Sequence, residues 1–285
     1  MTVHECAATA ASRLVAEGFK PAASRLDVSV LARALLGWDQ ARWLADGRAG
    51  APAGFADRLA RWVARRARHE PVAYIVGERE FFGRPFRVTP DVLIPRPETE
   101  LLVSATLDRL TGRTGATPLV VDVGTGSGCV AVSLACELAG VRLVATDVSA
   151  AALEIARENA RRHSVQNRID LRAGPLLGGL EETPDVIVSN PPYIRDAERR
   201  ALPPDVVEYE PHQALFAGPD GLDVIRPLIE LAGRRLARGG WLIVEIGAVQ
   251  DRAVGDLVAA SATLGATDVL VDIELRPRVV VARRA

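Results

Sequence analysis

Beyond Pro118 the chain alternates short apolar runs with amphipathic stretches, and this alternation constrains the fold more than any other feature of the sequence. Strand-like runs read at 119–123, 143–146, 169–172, 186–189 and 241–246, and helical patterns fill most gaps, at 129–138, 150–162, 222–235 and 251–264. Parallel neighbours need a crossover of a dozen or more residues, which a helix supplies, and strands that are apolar on both faces must be covered on both. The expected architecture is therefore α/β, with a mostly parallel sheet between two helical layers. The end of the chain departs from the pattern. Runs at 269–273 and 279–281, joined by a turn around Leu275-Arg276-Pro277, read as a terminal antiparallel hairpin.

Residues ahead of this region read differently. From about Thr2 to Ala67 short amphipathic helices are separated by Gly/Pro-rich breaks such as 47–54, as in a small helical domain. One helix sets Arg58, Arg61, Arg65 and Arg68 at three- and four-residue spacings, either a solvated face or a docking stripe for RNA or a protein that mimics it. From Tyr74 to Val88 two strand-like runs flank Phe82-Gly83, as a hairpin bridging two domains would. The expected division is 1–72, a helical substrate-recognition domain; 73–90, a linking hairpin; and 91–285, the catalytic domain. Pro95-Arg96-Pro97-Glu98-Thr99-Glu100 then opens an apolar helix, with prolines and acids where a helix start favours them.

Charge and cysteine content exclude several classes. The formal net charge is −1, so any nucleic-acid contact would need a local basic patch. The three cysteines, Cys6, Cys129 and Cys136, have neither CxxC spacing nor histidine neighbours, which argues against a disulfide framework or a zinc site. No apolar run approaches a membrane span and no signal-peptide pattern opens the chain, so a cytoplasmic protein is expected.

Three segments carry chemistry. Asp122-Val123-Gly124-Thr125-Gly126-Ser127-Gly128 follows the first strand of the α/β region and precedes a helix, where open α/β sheets bind their cofactors. A dinucleotide fingerprint needs glycine at the sixth position of GxGxxG, and Cys129 stands there. The GxGxG spacing after an acid suits a nucleoside with a charged amino-acid tail, such as S-adenosylmethionine, better than a pyrophosphate. About 20 residues on, Asp147 ends the second strand, where a carboxylate accepts hydrogen bonds from ribose hydroxyls; the cap of the next helix is better filled by Ser149. Finally, Asn190-Pro191-Pro192-Tyr193 follows the strand 186–189. Proline has no N–H, so this turn leaves backbone carbonyls without ladder partners. An amide oxygen, free carbonyls and an aromatic face at one spot can hold a planar NH2 group.

The glycine loop together with Asn190-Pro191-Pro192-Tyr193 resembles S-adenosylmethionine-dependent methyltransferases that modify planar amino groups. The segments 91–100 and 77–83, Tyr209-Glu210-Pro211, Ala214-Leu215-Phe216 and Gly221-Leu222 narrow the resemblance to the HemK/PrmC family, the peptide chain release factor N5-glutamine methyltransferases. It covers nearly the whole chain. It implies a Rossmann-like methyltransferase fold with S-adenosyl-L-methionine bound by Gly124, Thr125, Gly126, Ser127, Gly128 and Asp147. Substrate glutamine would be bound by Asn190, Pro191, Pro192 and Tyr193, with Asn190 also near the methyl donor. It implies class 1 release factors as protein partners. One place departs: many members carry an Asp after the third strand, where this chain reads Arg172-Ala173-Gly174-Pro175. The adenine contact there would come from backbone or from packing by Pro175.

In the expected mechanism, the Asn190 side-chain oxygen and the Pro191 carbonyl accept the two amide N–H bonds, and Tyr193 stacks on the amide plane. Three rivals stay open at this point. A ribosomal-protein glutamine methyltransferase would use the same chemistry on another partner. A DNA or RNA amino-group methyltransferase would want a basic groove, and a non-catalytic binding module would not bind the methyl donor.

Overall fold

The computed structural model describes residues 1–111 and 117–285. Two compact units divide the chain: residues 1–78 with 203–209, and residues 79–202 with 210–285.

In the first unit α1 (Val3–Ala16), α2 (Pro21–Leu36), α3 (Gln40–Asp46), α4 (Phe55–Arg66) and α5 (Val72–Val76) pack around Leu14, Leu31, Phe55, Leu59 and Val63. Thr2 starts α1 with a capping box to Glu5, and Gly37 ends α2 in the left-handed conformation. The segment 203–209 joins this unit through Arg66–Asp205, 3.5 Å apart, and the Tyr209 hydroxyl donating to the Arg68 carbonyl at 2.6 Å.

A hairpin, β1 (Glu78–Phe81) and β2 (Arg84–Arg87), belongs to the second unit from Arg79 onward and precedes α6 (Glu100–Leu110). A large sheet then alternates with helices: β3 (Leu119–Val123), α7 (Cys129–Glu137), β4 (Arg142–Asp147), α8 (Ala150–Arg162), β5 (Ile169–Ala173) and β6 (Val186–Ser189). After α9 (Pro204–Tyr209), which belongs to the first unit, come α10 (Ile225–Arg235), β7 (Trp241–Glu245), α11 (Asp251–Ala259), β8 (Leu264–Val271) and β9 (Pro277–Arg284). The strand order is β5-β4-β3-β6-β7-β9-β8, parallel through β7 and antiparallel for the last two pairs. This is the mostly parallel sheet with a terminal antiparallel hairpin that the sequence pattern predicts.

Period-two alternation builds two cores from the same strands. Val120, Val186, Val188, Ile243, Val279 and Val281 face one layer with α6 and α7. Val121, Ile187, Leu242, Val244 and Val280 face the other, with α10 and α11.

Two boundaries differ from expectation. The helical pattern at 251–264 stops at Ala259, and Leu264 opens β8. Ser261 ends the helix: its hydroxyl accepts from the backbone N–H of Thr263 and Leu264, competing with the helical ladder. The terminal hairpin is accordingly longer than the run 269–273 suggests. The expected bridge at 73–90 is divided by the unit boundary at 78/79. Phe81 and Phe86, both buried and edge-to-face with centroids 6.0 Å apart, lie in the same apolar cluster as Val120 and Leu134. Aromatic burial of that kind makes the hairpin part of the second unit's core.

No helix among the described residues is long and apolar enough to cross a membrane. Phe86→Ala removes a fully buried ring and is expected to cost about 3–5 kcal/mol of stability, read as a lower urea midpoint at unchanged slope.

Candidate active site

The order of strands reverses at β3, whose two neighbours are β4 and β6. Crevices beyond the carboxyl ends of strands at such a point are where open α/β sheets take ligands. Val123 pairs with Ser189 and with Thr146, so the residues that follow each strand emerge side by side. A cavity of about 430 Å³ opens there, lined by residues from the glycine loop, the end of β4, the 174–176 turn and the segment after β6. This size lies within the range of small-molecule sites.

Backbone bonds fix the glycine loop. The N–H groups of Gly124 and Thr125 both donate to the Thr146 carbonyl at 2.9 Å, tying the loop to β4. Gly128 is the N-cap of α7 at φ 80°, where a Cβ would lie 3.1 Å from the Ala156 Cβ, so glycine serves both the turn and the close approach of α8. Asp122 is buried beneath the loop and accepts from the Thr125 hydroxyl at 2.7 Å and the Ala131 N–H at 3.2 Å. Burial raises its carboxyl to about 6. Asn159 of α8, fully buried, donates to the Ser127 carbonyl at 2.8 Å and the Arg87 carbonyl at 3.0 Å, and accepts from the Arg87 N–H at 2.8 Å.

Asp147 uses one carboxylate oxygen for the Gly126 N–H at 2.9 Å and the other for the Ser149 N–H at 2.8 Å. An ionised carboxylate has about four acceptor positions, so two remain for a ligand. Ser149 caps α8 by accepting from the Ala152 N–H, as the sequence suggested. Beyond β5, the Gly174 N–H donates to the Asp147 carbonyl at 2.9 Å, and the Thr146 hydroxyl donates to the Leu176 carbonyl at 2.5 Å. Gly174 has φ 150°, and a Cβ there would lie 3.1 Å from the Gly178 Cα. The turn thereby folds back over β4 and presents Pro175 to the cavity.

After β6 the Asn190 side chain donates through Nδ2 to the Thr99 hydroxyl at 3.0 Å. Thr99 in turn donates to Glu245 Oε2 at 2.7 Å, and the Tyr193 hydroxyl donates to Glu245 Oε1 at 3.3 Å. Among the described residues no protein group donates to Asn190 Oδ1 or to the Pro191 carbonyl. Asn190 and Pro191 both line the cavity. The charged residues lining it are all acids, Asp91, Asp122, Asp147 and Asp223, with no Arg, Lys or His among the described lining residues. This suits a ligand bearing positive charge and opposes a pyrophosphate. Cys129 also lines the cavity, but burial pushes its thiol up to about 12, which rules out a thiolate nucleophile near neutrality.

The chain has clear relatives among known proteins. Residues 5–77 match the PrmC N-terminal domain, and residues 97–208 match the Methyltransferase small domain. The release factor glutamine methyltransferase of Cereibacter sphaeroides is 47% identical over 234 residues, 81% of each chain. That of Moorella thermoacetica is 41% identical over 289 residues, 100% of this chain and 99% of its own. The chain belongs to the release factor glutamine methyltransferase family. Among solved structures, the hMettl16 catalytic domain in complex with MAT2A 3'UTR hairpin 6 is similar with a TM-score of 0.58 at 20% identity, covering 78% of this chain and 81% of that one. That likeness is one of fold.

Of the residues expected at the site of a release factor glutamine methyltransferase, Gly124, Thr125, Gly126, Ser127, Asp147, Pro175, Asn190, Pro191 and Pro192 line the cavity. Gly128 and Tyr193 do not. Gly128 lies behind the loop as the cap of α7. The half-buried Tyr193 donates its hydroxyl to Glu245. Four residues with clear roles in holding the site were not singled out from sequence: Thr99, Glu245, Asn159 and Gln250. Gln250 donates to the Tyr193 carbonyl at 3.1 Å and accepts from the Gly247 N–H at 2.9 Å. Only Glu245 left a readable trace, as an acid closing the apolar strand Trp241–Glu245.

Gly128→Ala combines left-handed strain with contact against Ala156 and is expected to cost about 2 kcal/mol, measured as a lowered denaturation midpoint of the ligand-free protein.

Proposed function

We propose that this chain transfers the methyl group of S-adenosyl-L-methionine to the side-chain amide nitrogen (N5) of the glutamine in the Gly-Gly-Gln loop of class 1 peptide chain release factors. The observation that carries this reading is the pair of unpartnered acceptors, Asn190 Oδ1 and the Pro191 carbonyl, on two residues that line the cavity together with the glycine loop. Two acceptors on neighbouring residues match the two N–H bonds of a primary carboxamide.

The chain's residues fit the methyl donor. Gly124, Thr125, Gly126 and Ser127 would cradle it, Asp147 would accept from its ribose, and Pro175 would pack against its adenine. The acidic lining suits its net positive charge. When bound, S-adenosyl-L-methionine supplies an electrophilic methyl group on a sulfonium.

The remaining catalysis falls to the protein. A carboxamide nitrogen is a poor nucleophile because its lone pair is delocalised into the carbonyl. By accepting both N–H bonds, Asn190 Oδ1 and the Pro191 carbonyl would hold the NH2 plane and turn the nitrogen's face toward the methyl donor. The same two dipoles would stabilise positive charge growing on nitrogen, so fixed electrostatics and positioning supply the rate. No general base needs to act before transfer, since the methylated amide is acidic enough to lose its proton afterwards.

Recognition of the protein partner would fall to the first unit. Arg58, Arg61 and Arg68 are exposed there, while Arg65 is held by Glu70 at 2.5 Å and leaves the stripe.

Incubation with labelled S-adenosyl-L-methionine and separately purified release factor, ribosomal protein and DNA tests the assignment. Label is expected on the Gly-Gly-Gln glutamine, and label on DNA instead would overturn it. Asn190→Ala should lower kcat on the order of 10²–10³-fold while calorimetry shows unaltered affinity for the methyl donor. Asp147→Ala should do the reverse, weakening donor binding by roughly 10–100-fold, since it removes charge-assisted hydrogen bonds.

A further inference from the structure

We propose that Glu245 is a positioning residue that, acting through Thr99, decides which end of the Asn190 carboxamide faces the cavity. This rests on the function proposed above, because it concerns the acceptor that would hold the substrate amide.

The argument follows the protons. Glu245 ends β7 and is 1% exposed, and its two oxygens take the Thr99 hydroxyl at 2.7 Å and the Tyr193 hydroxyl at 3.3 Å. An ionised carboxylate only accepts. The single proton of Thr99 is therefore committed to Glu245, and the Thr99 oxygen has only lone pairs left to offer. Its other neighbour, Asn190, must then present a donor, which is the Nδ2 found 3.0 Å away. Once Nδ2 is spent on Thr99, Oδ1 is the end of the amide left without a protein partner. One buried charge thus sets the polarity of a chain of three side chains, and the last member is the substrate acceptor.

A protonated Glu245 has the opposite effect. Its O–H can donate to Thr99, Thr99 can donate to Asn190, and the carboxamide then satisfies Thr99 with Oδ1. Its NH2 would point into the cavity, toward the NH2 of the substrate, and two donors repel. The groups facing Glu245 are Glu98 from the turn before α6, Arg278 from β9, Tyr193 after β6 and Cys129 from α7. Burial is the largest influence and Glu98 adds to it. Thr99, Tyr193 and Arg278 oppose them, leaving the carboxyl raised to about 7. The carboxylate form, and with it the competent amide, is lost as pH falls through that value. Turnover should therefore rise with pH on an acidic limb near 7.

Glu245→Gln removes the charge and lets the side chain donate as well as accept, so the polarity is no longer imposed. Expected is a fall in kcat of about 100-fold, unchanged KM for the release factor, unchanged affinity for the methyl donor, and no acidic limb near 7. A mere packing role would move stability and leave the limb in place. Thr99→Val, which breaks the chain at its middle, should lower kcat similarly, and Thr99→Ser should recover most of the rate that Thr99→Val loses. This pair decides the matter if Glu245→Gln does not fold. Wild-type kcat with an intact limb in Glu245→Gln, or equal rates in the two Thr99 variants, would overturn the inference.

A second readout does not depend on the substrate. The Asn190 carboxamide NMR signals, assigned by their loss in Asn190→Asp, should shift with a midpoint near 7 in the wild-type protein and stay fixed in Glu245→Gln. Signals that do not move in the wild type would sink the inference even if the release factor is methylated. A moving signal with no methylation would instead sink the assignment of substrate.

Discussion

The parallel pairing of β3 with β6, Val123 opposite Ser189, is the contact on which the site depends. Because β4 lies on the other side of β3, chain from three strands leaves the sheet at one edge. The glycine loop follows β3, Asp147 ends β4, and Asn190 follows β6. None of these residues is near another in sequence. A slip of one residue in this pairing would invert the side chains of β6 between the two cores and carry Asn190 out of register with Gly124. Val186, Ile187 and Val188 are fully buried on alternate faces, so the hydrophobic cost of that slip protects the register.

Beneath the cavity the protein accepts two buried acids, Asp122 and Glu245, at positions where burial disfavours charge. Each is placed so that its acceptors organise something in front of it. Asp122 gathers the Thr125 hydroxyl and the first turn of α7, and Glu245 gathers Thr99 and Tyr193. The hydrogen bonds offset part of the desolvation, as they must for a buried polar group to be tolerated. The result is a wall whose visible groups are oriented from behind. Another buried acid, Glu210, follows the same rule elsewhere in this unit, accepting the Ile94 N–H at 3.1 Å and pairing with Arg96.

Strand and helix alternation was legible because β3, β4, β6 and β7 carry apolar runs buried in the two cores, and motif position followed from it. The pattern set Asp147, the glycine loop and Asn190 each at the carboxyl end of a strand, and the strand order brings the three together. Hydrogen bonds between distant segments left no comparable mark. Thr99 and Glu245 are 146 positions apart, and nothing local to Thr99 distinguishes a relay hydroxyl from a residue at a helix start. The partner of Tyr193 was hidden for a related reason: the sequence shows an aromatic ring next to two prolines, while its hydroxyl is held by a carboxylate on another strand. At the end of α11, Ser261 and Thr263 look like tolerable helix residues until the serine side chain is seen to take the backbone N–H groups for itself.

Asn159 shows how much one side chain can replace. Toward Arg87 it both gives and takes a hydrogen bond, the two-way exchange that a neighbouring strand would normally make with its backbone. Its remaining N–H reaches the Ser127 carbonyl. A single primary amide therefore stands in for an absent strand at the exit of the hairpin and fastens that exit to the ligand loop. The isosteric acid would have the same outline and no proton for either carbonyl. At this position the fold distinguishes nitrogen from oxygen in an atom that packing alone would treat as the same.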